Sequence, residues 1–523
     1  MVFALLLVGV FTRLVLLGDI PPGLNQDEAS IGYDAWALLH YGVDRNGFHN
    51  PVHLVAWGSG QNALYAYLSM PFIRLFGLNA FSVRLLNALV GCLSLWVFYR
   101  LVERTVDRKA GILALLLLVI SPWHIMASRW GLESNLFPPL ILFGVYLLLL
   151  AVERHGFLPL SLFLFALALY AYGTAYLFVP LFLLILFPYL LSHKRIVWKS
   201  FLVGIVLFLL VALPIGLFVF VNIYGWNSIQ TPLFSIPRLP SHARFFDVSS
   251  FFSRRFVADS IVNLKALLKL LFLTQNDGLI WNAIPGYGYM FLFSPPFFFL
   301  GIFCLMKQSL CLKRFHPAFF LLVWFWSAFV LGIFTAININ RINVIFFPLI
   351  ACIAFGLACL GEKIRWLFVI TLSAYVFSFV LFVFTYFWVY PGKVGPAFFE
   401  SLDQALHYAV DAVPSDVPVY ITDRINMPYI FVLFYQKIPP DVFYRSVIYD
   451  NPNAPFRRVR SFDRFFFGLQ GTDFGGQIYV LHNSEGAFFQ DPHFSVQKFK
   501  YYSVAVRKRE DLEILREHPL KAQ

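Results

Sequence analysis

Residues 201–221 read FLVGIVLFLLVALPIGLFVFV, without one charged or amide side chain. A helix rising ~1.5 Å per residue needs about 20 such residues to cross ~30 Å of hydrocarbon. This stretch, read as a span over 200–222, is one of about eleven. The others are 2–18, 80–101, 110–127, 135–152, 157–172, 175–191, 291–306, 317–336, 342–360 and 366–389. Composition agrees. Of 523 residues 59% are apolar and 13% charged, and the mean hydropathy is +0.72. An average soluble domain carries about twice that charged fraction. A water-soluble globule has no interior for so many Phe and Leu side chains, which excludes a soluble enzyme, a disordered chain and a secreted disulfide scaffold. The net charge of +12 does not call for nucleic acid, because basic residues also accumulate in cytoplasmic loops. The five cysteines form no CxxC pair and none lies beyond residue 359, so no metal clip is indicated.

The first span runs straight from Met1 with no basic leader and no small-residue cleavage site, and is read as a retained span. Segment 63–77 (ALYAYLSMPFIRLFG) is short and interrupted by Pro71 and Arg74; it is read as a helix along the membrane surface. Charge asymmetry then sets the orientation. With the N-terminus in the cytoplasm, the short inner loops 102–109, 153–155, 193–199, 307–315 and 361–365 hold twelve Lys or Arg. The short outer loops hold Arg129 and Arg341. This bias predicts a multi-pass plasma-membrane protein with its N-terminus inside and its C-terminus outside.

Three outer segments exceed mere connectors: 19–79, 223–290 and the tail from 390. The tail loses the long apolar runs. It reads as a small extracytoplasmic α/β domain, with a helix at 398–410 and strands at 417–422, 464–468, 477–482 and 496–506. The expected fold class is therefore mainly α: a polytopic membrane helix bundle over 1–389, followed by an α/β domain over 390–523.

No Walker A loop, GxGxxG after a strand, HExxH or GxSxG occurs, so nucleotide hydrolysis, zinc proteolysis and a serine-hydrolase elbow have no support. A transfer reaction here would need a pre-activated donor. The spans are almost free of ionisable groups, Arg13 and Arg84 lying near outer ends. An ion-coupled transporter would need buried Asp, Glu, His or Lys. The polar residues gather on the outer rim instead.

Residues 18–34 read GDIPPGLNQDEASIGYD and open the first outer segment. Helical spacing from Asp27 puts Asp27 and Glu28 in a first turn. Two adjacent carboxylates at a membrane surface repel, which raises one pKa and suits a general base; a helix N-terminus also favours acids on its own account. SRWGLE at 128–133 sets Arg129 and Glu133 four apart, on one face of a helical turn, whether as a site or as an ion pair at the membrane edge. The orientation places Asp27, Glu28 and Glu133 on one side. NINRIN at 338–343 offers Arg341 among three Asn. A guanidinium can hold two phosphate oxygens, and Arg also snorkels at interfaces. Segment 223–290 adds Arg238, Arg244, Arg254, Arg255, Lys265 and Lys269, some of them suited to anionic headgroups. Tyr170, Tyr172 and Tyr176, with Trp57, Gln61, Asn62 and Tyr65, fit either an interfacial belt or a site. His49 and His53 are four apart but lack a third ligand.

Taken together, PPGLNQDEASIGYDAW, FGLNAFSVRLLNALVG, SRWGLES, YAYGTAYLFVP, the Pro-Gly-Tyr-Gly stretch at 285–288 and NRINVIFFPL resemble glycosyltransferase family 39 and its GT-C relatives, the protein O-mannosyltransferases and lipid A aminoarabinose transferases. The resemblance covers most of residues 1–360. It implies a sugar donor on a polyprenyl phosphate, Asp27 as catalytic base with Glu28 beside it, Glu133 and Arg129 as the second outer motif, and Arg341 at the phosphate. Many relatives carry a Lys before the second span; here GSGQNALY places Gln61 there.

The implied reaction transfers a hexosyl or pentosyl group to an acceptor hydroxyl of a protein, lipid or polysaccharide, with inversion. Arg341, with Arg254 or Arg255, would stabilise the departing phosphate. Glu28 and Glu133 would orient the acceptor or sugar, or hold a divalent ion; no cofactor is otherwise required. Membrane lipid is a partner and nucleic acid is not. The rival expectations are a lipid-linked-sugar flippase or transporter, which needs a polar path these spans do not offer, and an inert glycan-binding surface protein.

Overall fold

The apolar segments that suggest spans are each helical at their centres in the computed structural model, which describes residues 1–241, 249–250, 253–309, 314–469, 476–486 and 492–508. Six helical stretches are long and apolar enough to cross a membrane: Ala80–Thr105, Glu133–Ala151, Ala175–Ser192, Trp198–Tyr224, Ile339–Lys363 and Arg365–Phe398. A seventh arises if Arg108–Ile120 and Pro122–Ser128, bent by 59°, count as one. By this measure the expected number of about eleven is not reached. Val2–Leu14, Phe157–Ala168 and Phe319–Ile333 hold 13, 12 and 15 residues, or ~18–23 Å of helix.

Local chemistry explains the breaks. Pro122 cannot donate into the preceding turn, and Ser121, held extended, starts the next helix by accepting from the His124 N–H at 3.4 Å. Burial sorts the long helices: the apolar window of Ile339–Lys363 is 89% buried, those of Trp198–Tyr224 and Arg365–Phe398 only 17%. The first is the centre of the bundle, and the other two present their apolar faces outward. Pro295–Ser309 packs against Ile339–Lys363 at two glycines. A Cβ on Gly301 would lie 1.8 Å from the Cys352 carbonyl oxygen, and one on Gly356 2.0 Å from that of Phe297, the close backbone approach that small residues allow inside membranes.

Four elements frame residues 19–79: α1 (Val2–Leu14), α2 (Gln26–Tyr41), α3 (Leu64–Phe76) and α4 (Ala80–Thr105). The segment read as a surface helix forms α3, which packs against α2 and α4. Between α2 and α3 lies a hairpin of β1 (His53–Leu54) and β2 (Gln61–Asn62), antiparallel with Leu54 opposite Gln61. A second small hairpin joins β3 (Ile229–Gln230) to β4 (Ser235–Ile236).

The tail forms a seven-stranded mixed sheet of β5 (Val419–Ile421), β6 (Ile448–Tyr449), β7 (Val459–Phe462), β8 (Phe465–Phe467), β9 (Ile478–His482), β10 (Phe494–Lys498) and β11 (Tyr502–Arg507). Their order is β10-β11-β9-β5-β8-β7-β6, with β5 parallel to both neighbours and the remaining pairs antiparallel. The expected helix at 398–410 becomes Leu402–Asp411 after a short turn at Gly395–Phe398. The single strand expected at 496–506 is a hairpin of β10 and β11, closed by the Phe499 N–H on the Tyr502 carbonyl. Its turn carries no Gly or Pro to mark it. Helices Pro428–Gln436 and Pro440–Ser446 complete the domain.

Candidate active site

The start of α2 sends two adjacent acids in different directions. Asn25 caps the helix, its side chain accepting from the Asp27 N–H at 3.0 Å, and the Glu28 carboxylate accepts from the Asn25 N–H at 3.1 Å. This reciprocal box fixes Glu28 inward. Successive residues on a helix are turned by ~100°, so Asp27 faces the other way, into a cavity of about 190 Å³.

Glu28 is fully buried. Its two oxygens accept from Arg84 at 2.8 and 3.0 Å, and Oε1 also from the Gly131 N–H at 2.9 Å. Arg84 in turn donates to the Pro21 and Gly23 carbonyls, both at 2.8 Å. Glu28, expected beside Asp27 as a catalytic acid, is placed apart from it: both oxygens are taken by structural donors, and the side chain does not line the cavity.

Arg129, expected at the substrate, is likewise placed away from the cavity. It is fully buried, donates to the carbonyls of Thr12, Val15, Leu16 and Ile20 and to the Tyr386 hydroxyl, and lies over the Phe387 ring at 5.1 Å. A helix C-terminus leaves its last carbonyls without intrahelical partners and favours a cation; Arg129 fills that need for α1 and is not at the cavity.

Five expected residues do converge on the cavity: Asp27, Gln61, Glu133, Tyr172 and Arg341. Trp57, from the loop between β1 and β2, lines it too and donates its indole N–H to Asp27 Oδ1 at 3.2 Å. Gln61, on β2, donates Nε2–H to Glu133 Oε2 at 3.1 Å. Glu133 opens a short turn, Glu133–Asn135, held by Asn87, whose amide donates to the Trp130 and Leu132 carbonyls at 2.7 and 3.0 Å. Arg341 sits in Ile339–Ile342, capped by Asn338, and donates to the Ala336 carbonyl at 2.9 Å. Among the described residues lining the cavity it is the one cation, in a lining it shares with the carboxylates of Asp27 and Glu133.

Other expected residues lie elsewhere. Tyr65 is fully buried and donates to the Val83 carbonyl at 2.8 Å. Arg254 and Arg255 precede the helix Phe256–Lys269 and do not line the cavity. Arg244 lies outside the described residues. His53 stacks on Phe218, ring centroids 4.2 Å apart, and His49 bonds to the Gly42 carbonyl, so the pair forms no ligand set. Among the described residues no group of three His, Cys, Asp or Glu is placed to hold a metal.

Sequence reasoning missed the walls, Trp130 and Trp281, and a buried pair behind the site. Arg45 binds Asp34 through Nε and Nη2 at 2.7 to 3.1 Å, and its guanidinium lies 5.4 Å from the centre of the Trp57 ring. The tail domain reaches the same loop: the Arg457 N–H donates to the Trp57 carbonyl at 2.8 Å, and Tyr429 packs edge-on against the Trp57 ring.

An apolar helix bundle joined to a mixed sheet domain, with a cavity of two carboxylates and a guanidinium on a rim built from connecting loops, defines a membrane protein of the GT-C fold. Comparisons agree. Residues 62–218 match the family model described as dolichyl-phosphate-mannose-protein mannosyltransferase. The crystal structure of ArnT from Cupriavidus metallidurans bound to undecaprenyl phosphate is similar over 97% of both chains, with a TM-score of 0.57 and 15% identity. The crystal structure of the Archaeoglobus fulgidus oligosaccharyltransferase in complex with Zn and sulfate matches over 83% of this chain and 61% of its own, with a TM-score of 0.53 and 14% identity. No curated protein sequence matches. At such identities the likeness establishes the fold.

Proposed function

We propose that this chain is a membrane glycosyltransferase that moves a hexosyl or pentosyl group from a polyprenyl-phosphate donor to an acceptor hydroxyl at the outer face, with inversion. The observation that carries the reading is the convergence of Asp27, Glu133 and Arg341, from three widely separated segments, on one cavity. The matched family's description names a dolichyl-phosphate sugar, and the ArnT structure is bound to undecaprenyl phosphate. Both point to a lipid-linked phosphate as the donor class.

In this reading Asp27 takes the proton of the acceptor hydroxyl while its oxygen forms the new bond to the anomeric carbon. The bond from that carbon to the phosphate oxygen breaks in the same displacement, so configuration inverts. The polyprenyl phosphate departs with the bonding pair, and Arg341 holds its charge, a preorganised contact of the kind worth several kcal/mol. Glu133 accepts from a sugar or acceptor hydroxyl and orients it. A divalent ion, if one takes part, would be carried by Asp27 or Glu133 together with the donor phosphate. The basic-loop asymmetry favours an N-terminus in the cytoplasm and the sheet domain outside, at the plasma membrane, with membrane lipid as a partner.

The test is transfer of radiolabelled sugar from a panel of polyprenyl-phosphate sugars to membrane extracts. Wild type should pass label and Asp27→Asn should not; the position of the label identifies the acceptor as protein, lipid or polysaccharide. Equal transfer by both would dismiss Asp27 as base.

A further inference from the structure

Behind the cavity runs a chain of hydrogen bonds with a fixed direction. Arg45 Nη2 donates to the Ser30 hydroxyl, the Ser30 hydroxyl donates to Gln61 Oε1 at 2.8 Å, and Gln61 Nε2 donates to Glu133 Oε2 at 3.1 Å. Its origin is fully buried and locked by Asp34, side chains 1% exposed on both sides of the ion pair. A guanidinium can only donate. Ser30, receiving one proton from Arg45, has its own to give, and Gln61 presents its carbonyl to Ser30 and its N–H₂ to Glu133. With a guanidinium that only donates at one end and a carboxylate that only accepts at the other, the chain runs from Arg45 to Glu133.

The same guanidinium faces the Trp57 ring, and Trp57 donates to Asp27. One buried charge thus stands behind the donors to both carboxylates of the cavity. Ring contact constrains Trp57 only in position, whereas the Ser30 path also sets polarity.

We propose that Ser30 and Arg45 are positioning residues that polarise and orient the Gln61 amide, so that Gln61 acts as a fixed neutral donor to Glu133. For its catalytic consequence this rests on the transferase reading; for its geometry it does not. A lysine ammonium at position 61 has only donors to present to Glu133, whereas a glutamine needs its amide held the right way round. Ser30 supplies that hold.

The experiment uses the full-length protein in detergent and two readouts. The first is capture of Glu133 by a water-soluble carbodiimide with an amine, read by peptide mass spectrometry at fixed pH. The second is label transfer in the donor panel. In Ser30→Ala the amide is no longer held from behind, its contact with Glu133 loosens, and a carboxylate less stabilised as the anion is captured faster. A severalfold rise in capture is expected, with kcat falling about tenfold and KM for the donor little changed. Ser30→Thr, which keeps the hydroxyl, should restore both. In a Gln61→Lys background Ser30→Ala should change neither, and Gln61→Met, which has no amide, should behave as Ser30→Ala should the latter fold poorly. Capture of Glu133 equal in wild type, Ser30→Ala and Gln61→Met overturns the proposal, even where transfer falls. Faster capture in a protein that transfers no sugar from any donor upholds the relay and removes the transferase reading instead.

Discussion

The indole N–H of Trp57 meets Oδ1 of Asp27 at 3.2 Å, so the carboxylate proposed as base is aimed by a residue from the β1–β2 loop and not by its own helix alone. Asp27→Asn is expected to lower transfer by about 10²-fold or more, the usual range for a general base. Trp57→Phe keeps the ring and deletes the donor, and is expected to cost about tenfold. Initial rates with saturating donor check both.

The adjacent acid behaves differently. Glu28 and Arg84 form a fully buried pair at 2.8 Å, and breaking such a pair from one side costs about 3–5 kcal/mol. Glu28→Gln is expected to lower thermal stability in detergent and yield from membranes, whereas Asp27→Asn should melt like wild type. Melting curves of the two variants separate a structural acid from a reacting one.

Arg129 and Arg341 divide in the same manner. Arg129→Met removes the guanidinium's donors to four carbonyls around the end of α1, and loss of folded protein is expected. Arg341→Met should fold. Undecaprenyl phosphate at 100 times its Kd should stabilise wild type by ~2.7 kcal/mol through mass action, and this protection should vanish in Arg341→Met, as a thermal-shift titration would read.

A pH effect follows from Asp44, in the loop after α2. Burial, with Asp34 nearby, pushes its carboxyl up to about 7 from an ordinary 3.8, against two backbone N–H donors, from Phe48 and Asn46. Its Oδ2 is buried without a partner among the described residues. The folded state therefore holds more protons than the unfolded one between about pH 4 and 7, and stability falls as pH rises through that window. Asp44→Asn keeps an acceptor for both N–H groups and removes the charge. It is expected to raise the melting temperature at pH 8, with the gain shrinking to nothing near pH 4.

Much of this was legible in the chain. Apolar runs place the helices, and Asp27, Glu133 and Arg341 stand out because charge beside lipid is costly. Spacing cannot say which way a helix is rotated, so Asp27 and Glu28 read alike until the Asn25 box and Arg84 turn one of them inward. The Arg129–Glu133 interval suggests a shared face, but the chain leaves the helix at Ser128, and the two side chains diverge. Arg45 is an unremarked loop arginine in sequence; only folding brings it beside Ser30 and Trp57. The expected span number is not reached by helix length for a related reason: apolar composition continues past helix ends into turns, so an apolar run is longer than its helix.

The Arg457 guanidinium reaches Asn46 Oδ1 at 3.2 Å across 411 residues of chain, in the same contact that carries the Trp57 carbonyl. A ribosome adding about 10 residues per second would take roughly 40 s to travel that distance. Through all of that time the segment between α1 and α4 has been made, while the tail groups that pin its Trp57 loop have not. A nascent chain is thus without the tail groups that pin its Trp57 loop until the sheet domain arrives.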